Sequence, residues 1–410
     1  MATGNVLYGG NLILKAAILL AVGTMRIAPA EAAESAAVVD AYDYGVLLEN
    51  LIRIPSVSGD IAGVNRIVRF MESLLKHEGF HVAIETMADG RQVIFAATEA
   101  TKTPDVLFSA HLDTVAAIHE SQYVPQRRDG IVYGRGASDC KEHCVLSFRL
   151  MRELRGKVSV GCLFGTDEEI GGASTAFMLD RGYGARKLVF VLDSEQYAIT
   201  TRQKGLGGYV FSKEIPAYHS AFVSGKPQNA VVELARRYLE LEKCFADAED
   251  GSWRDLIGCT RIDGNAHKAE LEIRVRAAEK DSWDCIEKLW KEKMGDAEFR
   301  CTRRGDAVIL DEHAPYLLEF RERMRRKWPD RKVNFYHLNS STDARHLQRL
   351  GLPMIITGID ARGAHSAKEY CILSSMDEND ELIRQFVLDT ICGCQKSLLI
   401  GVAKTDPKAL

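Results

Sequence analysis

The sequence predicts an α/β domain with helices on both faces of a mixed sheet and a smaller α+β domain inserted into it. Three observations carry this. Strand-like and helix-like segments alternate from about residue 80 to Lys204, as in a mixed sheet with helices on both faces. The rhythm then changes, and the earlier type returns after about Asp311. A chain of 410 residues also exceeds what one ordinary core accommodates. The divisions read as an N-terminal segment over 1–35, a larger α/β domain over 36–204 and 312–410, and a smaller α+β domain over 205–311.

The elements follow in order. Val46 to Ile54 reads as a helix stopped by Pro55. Ile61, Val64, Ile67, Val68, Met71, Leu74 and Leu75 then share one helical face, ending at Gly79. "HVAIETM", "QVIFAAT" and "DVLFSA" are short runs between turn residues, hence strands. Cys144 to Leu154 reads as a helix, "VSVGCLF" as a strand, "STAFMLDRG" as a helix and "KLVFVLD" as a strand. In the insertion, "GGYVFSKEI" and "AELEIRVRA" are strands, each followed by an amphipathic helix. The last part offers helix "PYLLEFRERMRRKW", strand "VNFYHL", helix "DARHLQRLG", strand "PMIITGI" and a long final helix.

Bulk properties exclude some functions. A net charge of -4 leaves no basic footprint for nucleic acid. The ten cysteines are scattered; neither the C-x-C of Cys392 and Cys394 nor the Cys140–Cys144 pair belongs to a zinc-ribbon arrangement. Reduced thiols in a cytoplasmic chain are therefore expected. The N-terminal run "LKAAILLAVGTM", followed by "APAEAAESAA", supports export through a signal peptide as the alternative. Against it stand a single positive charge, Lys15, before the run and Arg26 in the cleavage region. That run is too short to span a bilayer as a helix.

Several stretches place metal-competent side chains just after a predicted strand or in a turn. "LFSAHLDTV" sets His111 and Asp113 two apart, on one side of an extended chain. A carboxylate in that position commonly holds the second nitrogen of a ligating imidazole. "VYGRGASDCKEH" delivers Asp139 from a turn built on Gly134 and Gly136. "LFGTDEEIGG" ends an apolar run on Asp167, Glu168 and Glu169; "FVLDSEQ" adds Asp193, and "DARGAHSAKEY" adds His365 and Glu369. Each alone has an ordinary structural explanation. Together they supply imidazoles and carboxylates at strand ends, where open α/β sheets bind ligands. That donor set suits zinc or a related divalent ion. A hydrolytic pair of such ions sits about 3.5–4 Å apart with a carboxylate between them.

The stretches "SAHLDTV", "GRGASDCK", "TDEEIGG", "VLDSEQ", "KGLGGY", "STDAR" and "HSAKEY", in this order, resemble the co-catalytic zinc amidohydrolases. That family includes acetylornithine deacetylase, succinyl-diaminopimelate desuccinylase, aminoacylase and carnosinase-type dipeptidases. The likeness runs from about residue 45 to 400. It implies a zinc-peptidase-like catalytic domain with an inserted lid and dimerisation domain, and so a homodimer. It implies two divalent ions, zinc foremost, with cobalt and manganese as alternatives. His111 matches a ligand of one metal with Asp113 orienting it, and Asp139 matches the bridging carboxylate. Glu168 matches the general base, Glu169 and His365 match ligands of the second metal, and Asp193, rather than Glu195, matches the remaining ligand. His219 matches a lid histidine that stabilises the oxyanion. Asn265 and Arg345 match substrate contacts, Arg345 to a carboxylate. Asp167 receives no role.

Two departures stand out. "DCKEHC" keeps Lys141 but puts Glu142 and His143 where the family has glycines, and "HSAKEY" has Ala-Lys for the usual Pro-Asn. The resemblance implies hydrolysis of an amide or peptide bond in a small carboxylate-bearing substrate, an N-acyl amino acid or a short peptide. The alternative is a non-catalytic relative that binds a peptide or amino-acid derivative.

Overall fold

The computed structural model describes residues 43–216, 228–245 and 253–393. The N-terminal run and His219 lie outside them. The chain divides into two compact units. Unit one takes the chain up to Ile199, Pro315–Asn334 and the chain from Leu350 onward; unit two is Thr200–Ala314 with Phe335–Arg349.

Unit one is built on a six-stranded sheet. Its strands are β1 (His81–Thr86), β2 (Gln92–Ala97), β3 (Val106–His111), β6 (Val160–Gly165), β7 (Leu188–Glu195) and β15 (Met354–Ile359), in the order β1-β2-β6-β3-β7-β15. The first three neighbours pair antiparallel, and β6, β3, β7 and β15 run parallel. Every residue of β3 and of β6 is buried. Strands buried at every position are covered on both faces, which is why they read as unbroken apolar runs. The chain leaves β3 to build β6 on one side and then β7 on the other, so β3 is a topological switch point. Crevices at such points open at the carboxyl ends of the strands. A second small sheet holds β4 (Gln126–Arg128), β5 (Ile131–Tyr133), β16 (Ala361–Arg362) and β17 (Tyr370–Ile372). It fastens the segment before Asp139 to the segment around His365, with Tyr370 opposite Tyr133.

The main helices of unit one are α1 (Tyr44–Ile52), α2 (Ile61–His77), α3 (Lys141–Leu154), α4 (Ala173–Asp180), α7 (Pro315–Lys327) and α9 (Leu373–Val387). Helix α3 begins three residues earlier than its apolar spacing predicts. Lys141, Glu142 and His143 form its first turn and are all buried.

Unit two contains a four-stranded antiparallel sheet, ordered β10-β11-β9-β12, with β9 (Gly205–Glu214), β10 (Leu256–Gly264), β11 (Lys268–Ala277) and β12 (Glu298–Gly305). Strand β11 alternates strictly between buried and part-exposed residues, so one face is covered and the other is not. Helices α5 (Ala230–Glu242) and α6 (Ser282–Lys293) supply Leu234, Trp283 and Trp290 to the covered side. Trp290 is fully buried, with ring centroids 5.5 Å from Tyr209 and 5.4 Å from Phe211. Trp290→Ala should cost about 3–5 kcal/mol, read as a lowered thermal midpoint, because the cavity cannot close around these two aromatic neighbours.

Sequence patterning found only two of these four strands. The edge strands β10 and β12 are largely exposed and charged, so neither shows a buried face. The insertion predicted over 205–311 also gains Phe335–Arg349. The reason is β14 (Asn334–Leu338), which joins β8 (Ala198–Gln203) and β13 (Val308–Ile309) in a three-stranded sheet ordered β13-β8-β14. The helix predicted for "DARHLQRLG" is only α8 (Ala344–Leu347), continued by a 3-10 turn; Gly351 at φ +61° and Pro353 end it. Among the described residues no helix is long and apolar enough to cross a membrane. None of their nine cysteines is disulfide-bonded.

Candidate metal centre

The carboxyl ends of β3, β6 and β7 bring the predicted donors of unit one together. His111 is the last residue of β3 and is buried. Its Nε2 lies 2.9 Å from Asp139 Oδ1 and 4.0 Å from Asp193 Oδ2. On its other side, Nδ1 is 3.0 Å from the Asp113 carbonyl and 3.4 Å from Asp113 Oδ1. The backbone oxygen of Asp113 is therefore the nearer partner in fixing the ring.

The Asp113 carboxylate does something further. It accepts from Ser58 Oγ at 2.6 Å, from the Glu168 N–H at 3.1 Å and from the Glu169 N–H at 3.3 Å. One buried carboxylate thus ties β3 to the turn after β6. Burial alone would raise its pKa, but the bonds from His111, Ser58 and Glu168 outweigh it and hold the group below the usual range.

Asp139 has one oxygen toward each histidine: Oδ1 toward His111, and Oδ2 3.1 Å from His365 Nε2. The same His365 nitrogen is 2.9 Å from Glu169 Oε2. Glu169 is held by the Val115 N–H, 3.1 Å from its Oε1. His365 adopts φ +63°, a conformation uncommon for a side chain of its kind. Asp193 faces this group, whereas Glu195, two residues on along β7, is exposed.

Two donor groups result. His111, Cys140 and Asp193 form one, and Asp139, Glu169 and His365 form the other; within each, the ligand atoms lie within 4.8 Å of one another. Cys140 was not expected from the sequence, where no motif marks it. His111 Nε2 is a buried ring nitrogen with no hydrogen bond of acceptable geometry, although two carboxylates face it. Leaving such a group unsatisfied is costly. Divalent ions held by these side chains would satisfy it, so the residues fit the implied metals.

Glu369, a candidate carboxylate by sequence, stands behind this group. It accepts from the N–H groups of Gly136, Ser138 and Asp139 at 2.9, 2.9 and 3.2 Å, and from Arg135 Nη1 at 2.5 Å. It therefore holds the loop that presents Asp139. Asp167 now has an account too: its Oδ1 accepts from the Ser174 N–H at 2.9 Å and from the Ser174 hydroxyl, tying the acidic turn to the start of α4. Arg91, missed by sequence reasoning, is buried beneath the same turn and donates to the carbonyls of Thr166 and Ser58. Lys141 donates to the carbonyls of Leu51 and Ile54, both at 2.9 Å. Burial lowers its pKa to about 7.

Asn265 and Arg345 lie in unit two. Asn265 sits in the β10–β11 hairpin, where its Oδ1 accepts from the N–H groups of His267 and Lys268. Arg345 is buried, with Nη2 3.8 Å from Asp343 Oδ1.

A family model described as "Peptidase family M20/M25/M40" matches residues 107–389. The chain belongs to that family. Its matched span includes every donor named above. Among relatives, a protein of Emericella nidulans named "Probable carboxypeptidase" is 32% identical over 146 residues, which are 33% of each chain. The alignment thus spans about a third of that relative's length. Among solved structures, an M20 metallo-carboxypeptidase of Sulfolobus solfataricus superposes with a TM-score of 0.68 at 14% identity, covering 84% of this chain and 98% of that one. The Bacillus subtilis YXEP protein, titled a dinuclear metal-binding peptidase from the M20 family, gives 0.57 at 15% identity, covering 85% and 98%. At those identities the likeness is one of fold. The mixed α/β architecture is that of M20 peptidase structures.

Charge at the site predicts how an M20 metal centre here should respond to pH. Bonds to Asp139 and Glu169 raise His365 to about 10. His111 is raised well above its ordinary value, burial being outweighed by Cys140, Asp113 and Asp139. An imidazole must be neutral to coordinate, so each ion displaces a proton. Metal affinity should therefore rise about tenfold per pH unit for each proton displaced, between about pH 6 and pH 8. Calorimetric titration at several pH values measures it, and a flat profile contradicts ligation by these histidines. In metal-free protein the sign reverses. The stabilisation from His365 is complete below its ordinary 6.5 and is lost as the pH rises through about 10.

Proposed function

We propose that the protein is a metal-dependent hydrolase of amide or peptide bonds in small substrates carrying a free carboxylate. The observation that carries this reading is Asp139, with one carboxylate oxygen directed to His111 and the other to His365. One carboxylate between two imidazole-bearing donor groups is an arrangement that fits a pair of hydrolytic metals.

In this reading Asp139 bridges the two metal positions. His111 and Asp193 would hold one ion, and Glu169 and His365 the other. Two divalent ions there would supply Lewis acidity toward the substrate carbonyl and lower the pKa of a water. Glu168 takes a proton from that water and returns it to the leaving amine, as general base and then acid. Its backbone is fixed by Asp113, so the base and the His111 ring are positioned by one residue. Arg345 would bind the substrate carboxylate, for which a guanidinium fork is suited. Asn265 would contact the substrate, and His219 would donate to the developing oxyanion. The Emericella nidulans relative carries a carboxypeptidase name, which favours substrates with a free C-terminus. The insertion would also serve as the dimer contact.

A screen of N-acyl amino acids against dipeptides and longer peptides, with zinc, cobalt and manganese in turn, tests the proposal. Hydrolysis of one carboxylate-bearing class supports it. Protein that binds these ions yet cleaves nothing, while still binding a peptide, returns the chain to the non-catalytic alternative.

A further inference from the structure

Three residues next to the bridging position form a cluster that the two-metal reading alone does not explain. They are Cys140, Glu142 and His143, all buried at the start of α3. Cys140 groups with His111 and Asp193, their ligand atoms within 4.8 Å of one another. Its Sγ lies 3.2 Å from the Leu192 carbonyl and 3.5 Å from His143 Nδ1. His143 Nε2 accepts the Ile359 N–H at 3.2 Å, which places the ring proton on Nδ1. That Nδ1 also lies 2.8 Å from Glu142 Oε1. An imidazole whose N–H side is turned toward a sulfur thus lies beside a buried acid, and the sulfur groups with His111, whose Nε2 has no hydrogen bond of acceptable geometry.

We propose that Cys140 is a thiolate ligand of the metal held by His111 and Asp193, with His143, supported by Glu142, as the outer partner of that sulfur. The inference rests on the two-metal reading. On binding, the Cys140 S–H bond is given up, a metal–sulfur bond forms and the proton leaves to solvent; nothing is oxidised. Tetrahedral zinc with one sulfur and one nitrogen ligand separates those donors by ~3.5 Å, inside the 4.8 Å within which this group's ligand atoms lie. The two metal positions would then differ in kind. One would carry sulfur and select softer ions, and the other would be all nitrogen and oxygen. His143 and Glu142 would have the role that carboxylate–histidine pairs have behind ligands generally, fixing the donor and tuning the metal.

The test uses the full chain loaded with cobalt, its metal content counted and its near-ultraviolet spectrum recorded. The expected result is two ions per chain with a sulfur-to-cobalt charge-transfer band. Cys140→Ser should abolish the band, and His143→Asn should keep it but shift its energy. Cadmium NMR should give two well-separated resonances, of which Cys140→Ser moves only the sulfur-shifted one. Two bound cobalt ions without the band, or a band that survives Cys140→Ser, overturns the inference and leaves the two-metal reading standing. Failure to bind any ion overturns both.

Discussion

Under the proposed function, Glu168→Gln should retain two metals and lose turnover by about two to four orders of magnitude, the contribution typical of a positioned general base. The Glu168 and Glu169 N–H groups are both held by Asp113, so the turn stays in place when one side chain changes. Glutamine fills the same volume but cannot take a proton. Glu169, by contrast, is 2.9 Å from His365, and its loss should lower metal content as well as rate. The two adjacent glutamates are therefore separable by experiment. Metal counted beside activity distinguishes them, and near-normal activity of Glu168→Gln would sink its assignment.

Glu369→Ala should be nearly as damaging for a different reason. Arg135 and Glu369 are both almost fully buried, and three backbone N–H groups depend on the same carboxylate. Removing one partner of a buried ion pair leaves an uncompensated charge and costs about 3–5 kcal/mol. The thermal midpoint should fall accordingly. The loop that presents Asp139 should loosen, and metal affinity should fall with it. Glu369→Gln, which keeps an acceptor oxygen but not the charge, should lie between the two. A Glu369→Ala protein with the original midpoint and full metal content would show that the loop is held by something else.

These two residues illustrate what the sequence can and cannot reveal. The sheet of unit one was legible because its strands are covered on both faces and appear as unbroken apolar runs. Edge strands β10 and β12 were not, since exposed strands carry no such pattern. Five candidate donors that the fold brings together (His111, Asp139, Glu169, Asp193 and His365) could be picked out because each ends a predicted strand or sits in a turn of recognisable composition. Their supports could not. Glu369 acts across 230 residues on Asp139, Arg91 across 75 on Thr166, and no local spacing encodes either bond. Asp167, to which the sequence assigns no role, serves the next helix. Cys140 stands in "GRGASDCK" beside Asp139, but its spacing to Cys144 fits no zinc-ribbon arrangement, so the sequence did not mark it as a donor. Only the fold places it beside His111.

In the proposed function Asp139 joins two metal positions. Anomalous scattering from crystals of metal-loaded protein measures this most directly. The account predicts two peaks about 3.5–4 Å apart, one beside His111 and Asp193, the other beside Glu169 and His365, with an Asp139 oxygen on each. A single peak, or two peaks that do not share Asp139, would contradict it.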